Sequence, residues 1–144
     1  MIPTPIRLLH VEDDRIQQSL LARELASLKE YHFDITVATS EDEAKSVFPG
    51  GYFGLVILDY HLRQGDGVSC LRYIRQNDPI VPVITVSGVA TDEIAAVLIM
   101  AGADDYLAKE MLDSKILGQS VRNVLTRAHA FRSRFAIPTN LLRQ

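Results

Sequence analysis

Four places in the chain carry polar side chains just after a short apolar run: Glu12-Asp13-Asp14, Asp59, Ser87-Gly88 and Lys109. Crowded carboxylates repel one another, so acids gathered in one place invite a cation. Oxygen donors of this kind suit Mg²⁺, which keeps several waters, takes one or two carboxylates, and leaves room for a phosphoryl group. A lysine supplies fixed positive charge and a serine a hydroxyl donor. With a carboxylate nucleophile and a divalent cation, these are the parts that phosphoryl transfer to an aspartate requires, a reaction whose catalysis is positioning and electrostatics. Each group alone has an ordinary explanation. An acidic run at a helix start caps the helix and complements its dipole. A single Asp after a strand forms a turn, and a lysine is often a solvated charge. Their weight comes from convergence, which depends on the elements that carry them.

Those elements alternate. Ile6–Val11, Phe33–Ala38, Leu55–Leu58 and Val81–Val86 are short apolar runs fit for buried strands, and Tyr106-Leu107 makes a fifth. Between them the apolar spacing is helical. Asp14 with Gln17 and Ser40 with Glu43 read as capping boxes. The first opens a helix through Ile16, Leu20, Leu21, Leu25 and Leu28, and the second a helix ended by Pro49-Gly50-Gly51. Residues 67–77 form a third helix, Thr91 to Met100 a fourth closed by Gly102, and about Ser114 to about Phe135 a fifth. Five strands alternating with five helices predict an α/β chain, a single doubly wound (βα)5 domain with a five-stranded parallel sheet. In such sheets function lies at the carboxyl ends of the strands. All four polar groups fall on that edge.

Composition narrows the classes. The chain has 144 residues and a net charge of −3. The last acidic residue is Asp113; beyond it lie Lys115, Arg122, Arg127, Arg132, Arg134 and Arg143. Residues 1–113 therefore hold nine basic side chains against eighteen acidic ones, an acidic body with a basic tail. A single cysteine, Cys70, excludes a disulfide framework and a cysteine zinc site, and reads as a packing residue. No apolar run reaches membrane-spanning length, and Met1–Arg7 lacks a signal pattern. The expectation is a soluble cytoplasmic protein with no membrane partner. The acidic body argues against wrapping nucleic acid, so DNA binding is expected to be absent.

The motifs, taken together, resemble the receiver domain of two-component response regulators, of the CheY-like kind. The resemblance covers residues 6 to about 130 and rests on Leu8-Leu9-His10-Val11-Glu12-Asp13-Asp14, on Val56–Leu62 with Asp66-Gly67, on Pro82–Gly88, and on Ala101–Lys109. It implies the flavodoxin-like strand order 2-1-3-4-5. It implies that Asp59 is the phosphoacceptor, taking a phosphoryl group from a histidine kinase or phosphotransfer protein with Mg²⁺. Glu12 and Asp13 would be the acidic pair, with Asp13 and Asp59 binding the metal through side chains and His61 through its backbone carbonyl. Lys109 would bind the phosphoryl group, Ser87 would be the switch hydroxyl, and Tyr106 the aromatic whose rotamer follows it. The surface of helix four, strand five and helix five would then change shape. Such a protein is a phosphoacceptor with intrinsic autophosphorylation and autodephosphorylation, not an enzyme with a separate substrate. His61 and Val89 would flank the phosphoryl group and govern water access.

The sequence departs from the family in two places. Family members often carry Pro-Gly where this chain has Arg63-Gln64, and Gly65 and Gly67 are expected to supply flexibility instead. The family usually has a proline after the lysine, joined by a cis peptide; here the residue is Glu110. A cis bond without proline costs about 3–4 kcal/mol. The family geometry nevertheless leads us to expect a cis Lys109–Glu110 bond. Two other aspartyl or phosphate-binding classes fit poorly. A haloacid-dehalogenase-like phosphatase needs a second Asp where His61 stands, and a flavodoxin needs a phosphate loop where Glu12-Asp13-Asp14 would repel phosphate.

The last helix carries Leu117, Val121, Val124, Ala128, Phe131 and Phe135 at heptad spacing. Its first part is expected to dock on the sheet, and Ala128–Phe135 to project. We divide the chain into a receiver domain at 1–130 and a helix extension and tail at 131–144. The projecting stripe could fold back, form a homodimer, or lead into an output module absent from this chain. Ala136–Gln144 are too few for a helix-turn-helix. The remaining alternatives are a receiver fragment of a larger protein, or a degenerate receiver that only binds proteins.

Overall fold

The computed structural model describes residues 4–89 and 91–135. The strands are β1 (Ile6–Val11), β2 (Phe33–Ala38), β3 (Leu55–Asp59), β4 (Val83–Ser87) and β5 (Asp105–Ala108). The helices are α1 (Arg15–Ala26), α2 (Glu41–Val47), α3 (Gly67–Asn77), α4 (Asp92–Met100) and α5 (Ser114–Arg134). A 3₁₀ turn, Lys109–Met111, follows β5. The sheet runs β2-β1-β3-β4-β5 and every pairing is parallel, as the resemblance implied.

Strand periodicity divides the core. Leu9, Val11, Val56, Leu58 and Val83 face α2, α3 and α4, where they meet Phe48, Phe53, Leu71, Ile74 and Leu98. Leu8, Leu55, Ile57, Ile84 and Val86 face α1 and α5, where they meet Leu21, Leu25, Leu117, Val121 and Val124. Both faces of β1, β3 and β4 are covered, which is why these strands read as near-continuous apolar runs rather than alternating ones. Cys70 is fully buried in the first cluster and burial pushes its thiol up to about 12, so it packs and does not react.

Most helix starts are where their caps put them. Asp14 accepts from the amides of Ile16 and Gln17, Ser40 from Glu43, and Thr91 from Ile94. Strand β4 starts two residues later than the apolar run suggests. The Val81 amide is bound by Asp78 Oδ1 at 2.9 Å, and Pro82 has no amide to give.

Helix α5 docks further along than expected. Ala128 is buried, so projection cannot begin there; Phe131 and Phe135 are the exposed members of the stripe, with ring centroids 4.6 Å apart. The readings placed on Ala136–Gln144 lie outside the described residues. Among the described residues no helix is long and apolar enough to cross a membrane.

Candidate functional site

The carboxyl ends of β1 and β3 are neighbours, and β1 delivers its last side chains in alternation. Glu12 falls on the α1/α5 side and is 1% exposed; Asp59 ends β3 and is 2% exposed. Asp13 is less buried than either. One carboxylate oxygen from each of Glu12, Asp13 and Asp59 lies within 4.8 Å of the others. Asp14 takes no part and caps α1.

Lys109 neutralises this cluster. Its Nζ lies 2.9 Å from Glu12 Oε1 and 2.9 Å from Asp59 Oδ2. The Lys109–Glu110 bond is trans, since no cis peptide occurs among the described residues, and the expectation of a cis bond is corrected. The chain instead turns through the 3₁₀ segment after Ala108, which lets a trans bond deliver the lysine without the penalty of a non-proline cis peptide.

Burial sets the electrostatics. It pushes the Glu12 carboxyl up to about 7, with the Asp59 charge adding to it, while the hydrogen bond from Lys109 pulls the other way. Burial alone would lower the Lys109 ammonium, but its bonds to Glu12 and Asp59 hold it above its ordinary range. His10, one pleat back from Glu12, is buried and depressed to about 4 by desolvation and then by the Lys109 charge.

The β3–α3 loop wraps this cluster. The His61 amide donates to Asp59 Oδ1 at 3.1 Å and the Arg63 amide to Asp13 Oδ2 at 2.7 Å. Gly65 and Gly67 also meet a steric demand in this loop. Gly65 has φ +107° with its α-carbon against Glu41, and a Cβ on Gly67 would meet the Tyr60 and Asp59 carbonyls at 2.7 and 2.8 Å. Both positions need glycine for close approach.

The Ser87 hydroxyl is engaged by the β4–α4 loop. Its hydroxyl donates to the Val89 carbonyl at 2.9 Å and accepts from the Val89 amide at 3.0 Å. The Tyr106 hydroxyl donates to the same carbonyl at 2.9 Å. Ser87 and Tyr106 therefore meet on one oxygen of the β4–α4 loop.

Two residues that take part carried no assigned role from the sequence: Glu41, and His10, which lacks metal-ligand spacing to the other histidines. Glu41 grips the β3–α3 loop, but an acid in a helix's first turn is indistinguishable in sequence from a solvated dipole partner. His10 lies two residues before Glu12, and that parity was the available signal that it would lie beside the lysine.

The pattern of the family described as response regulator receiver domain matches residues 8–121, and the chain belongs to that family. Among curated relatives, a putative NtrX-like response regulator of Rickettsia felis is 33% identical over 111 residues, covering 76% of this chain and 23% of that one. The crystal structure of NtrX from Brucella abortus aligns with TM-score 0.82 and 26% identity, over 94% of this chain and 30% of that one. The receiver domain of a putative Luxo repressor protein from Vibrio parahaemolyticus aligns with TM-score 0.78 and 28% identity, over 94% and 99%. The chain spans about a quarter of the length of the curated relatives it matches, 23% for the first of them. Family membership sets aside the phosphatase and flavodoxin readings.

Proposed function

We propose that this chain accepts a phosphoryl group on Asp59 from a phosphohistidine of a histidine kinase or phosphotransfer protein. The observation that carries this reading is the ammonium of Lys109 at 2.9 Å from both Glu12 and Asp59, beside three carboxylates within 4.8 Å. The donor set fits Mg²⁺, being hard oxygen only: Asp13 and Asp59, with Glu12 beside them, would hold the ion through carboxylates, and His61 would add its backbone carbonyl. Bound there, the ion would neutralise charge on the transferring phosphoryl oxygens.

The chain's own groups do the rest. An Asp59 carboxylate oxygen attacks phosphorus in line with the donor's P–N bond. The new O–P bond forms as the P–N bond breaks, and the donor imidazole leaves with its electron pair. Lys109 shifts its ammonium from carboxylate to phosphoryl oxygen. Ser87 turns from Val89 to donate to another phosphoryl oxygen, leaving the Val89 carbonyl to Tyr106. The β4–α4 loop and the ring then take a second arrangement, a two-state element biased by local charge. It is read out on α4, β5 and α5, by a partner or a second copy of the chain.

The test is incubation with Mg²⁺ and a small phosphodonor, scored by intact mass and by oligomeric state. Wild type is expected to gain one phosphoryl group, none when Mg²⁺ is chelated before the donor is added, and Asp59→Asn none. Absence of an Asp59-dependent label would sink the reading. A label without change in assembly would count against dimerisation as the output.

A further inference from the structure

The β3–α3 loop lacks the Pro-Gly pair common in the family, yet it is held in place from outside. Glu41, the first residue of α2, makes the hold. Its Oε1 accepts from the Asp66 amide at 2.8 Å, and its Oε2 accepts from the Ser69 hydroxyl at 2.6 Å and pairs with Lys45 Nζ at 2.8 Å. Its amide donates to the Gln64 carbonyl at 3.3 Å. Gly65 lies against the Glu41 side chain so closely that a Cβ would collide with it. Glu41 is buried despite its charge, and every described partner of its carboxylate belongs to this loop, to the start of α3 or to Lys45.

The gripped segment leads straight to the site. Asp66 caps α3 through the Val68 amide at 3.0 Å, and Gly67 rests on the carbonyls of Asp59 and Tyr60. Between them and Asp59 lies the His61 backbone, whose amide bonds Asp59. The loop is thus tethered at both ends, by Asp13 at Arg63 and by Glu41 at residues 64–66. A cation would share the Asp13 carboxylate with the first tether, whereas the Glu41 carboxylate lies outside the proposed ligands.

We propose that Glu41 is a positioning residue for the metal and phosphoryl site: by reaching the Asp66 amide it fixes the loop that presents the His61 backbone beside Asp59. This rests on the reading of Asp59, Asp13 and His61 given above. Outer partners that hold a metal-binding group in place typically change affinity by about 10–100-fold when lost.

Two conservative variants separate reach from charge. Glu41→Asp keeps the charge at the start of α2 but withdraws the carboxylate from Asp66. Glu41→Gln keeps an oxygen at full reach and loses the charge. Mg²⁺ affinity is measured by calorimetry on full-length protein, with hydrogen exchange at the Asp66 amide and thermal melting alongside. Glu41→Asp is expected to weaken Mg²⁺ about tenfold and to speed exchange at Asp66, while Glu41→Gln stays within about threefold of wild type. A general loss of stability would move both variants together in melting and would not rank them this way in affinity. If wild type binds Mg²⁺ and Glu41→Asp binds it equally well, or Glu41→Gln falls as far as Glu41→Asp, the positioning role is overturned and the phosphoacceptor reading stands. If wild type itself binds no Mg²⁺ and takes no label on Asp59, the phosphoacceptor reading fails and this inference with it.

Discussion

The two sides of the sheet's carboxyl edge are built to different standards. Strands β1 and β3 carry Glu12 and Asp59 between fully covered faces, and their residues Leu8, Leu9, Val11 and Leu55–Leu58 have no exposed surface. Across the edge, every residue of β5 is only half-buried, and α4 buries a single side chain, Leu98, leaving Met100 88% exposed. Charges that must not drift are set where movement would break close packing. Ser87 itself is buried, but the Val89 carbonyl it shares with Tyr106 belongs to an exposed loop, where rearrangement uncovers little apolar surface. One site therefore joins a rigid electrostatic half to a compliant mechanical half.

The strongest test of this contrast is Lys109→Met. It leaves Glu12 and Asp59 buried without their counter-charge, and in metal-free buffer it is expected to lower stability by about 3 kcal/mol by urea denaturation. Mg²⁺ should recover part of that loss. A loss below about 1 kcal/mol would mean that the rigid half tolerates unpaired charge and the contrast fails.

A smaller effect should come from pH. His10 titrates near 4 when folded, because of burial first and the Lys109 charge second, against an ordinary 6.5. The folded state binds fewer protons between those values, so His10 contributes stability above pH 6.5 that is lost as pH falls toward 4. Relative to wild type, His10→Phe is expected to gain on the order of 2 kcal/mol between pH 7 and pH 4, read from denaturation at each pH. Glu12 acts with opposite sign, its raised value meaning that its burial penalty is relieved as pH falls from about 7. Parallel pH curves for wild type and His10→Phe would show that His10 is not confined as described.

Least affected should be Tyr106→Phe on the compliant half. It deletes one hydroxyl from the Val89 carbonyl, which Ser87 still satisfies, and is expected to cost about 0.5–1 kcal/mol by the same assay. A cost matching that of Lys109→Met would erase the difference between the halves.

Much of the rigid half was legible in the sequence, and for a physical reason. Buried parallel strands need apolar side chains on both faces, so Leu55–Leu58 announced itself, and the acids after such runs could only fall on one edge. Caps were legible because an Asp, Ser or Thr oxygen acts within three residues. What escaped depends on pairs far apart in the chain. Glu41 and Asp66 are 25 residues apart, and nothing local to either marks the bond. The trans Lys109–Glu110 bond departs from the family's cis geometry because that geometry depends on a proline this chain lacks. Where α5 leaves the domain also escaped, since a heptad stripe looks the same docked or free.

The bond between Lys109 and Asp59 spans 50 residues and has a consequence for how the protein is made. During synthesis β1 and β3 emerge well before β5, so the acids of the site exist for a time without their lysine. A nascent chain that packed those two strands together early would bury carboxylates facing one another. Like-charge repulsion would oppose that early packing until residue 109 joins, unless a proton or a cation from solution stands in. The groups that await a phosphoryl donor in the mature domain would in this way act first as a checkpoint on its own folding.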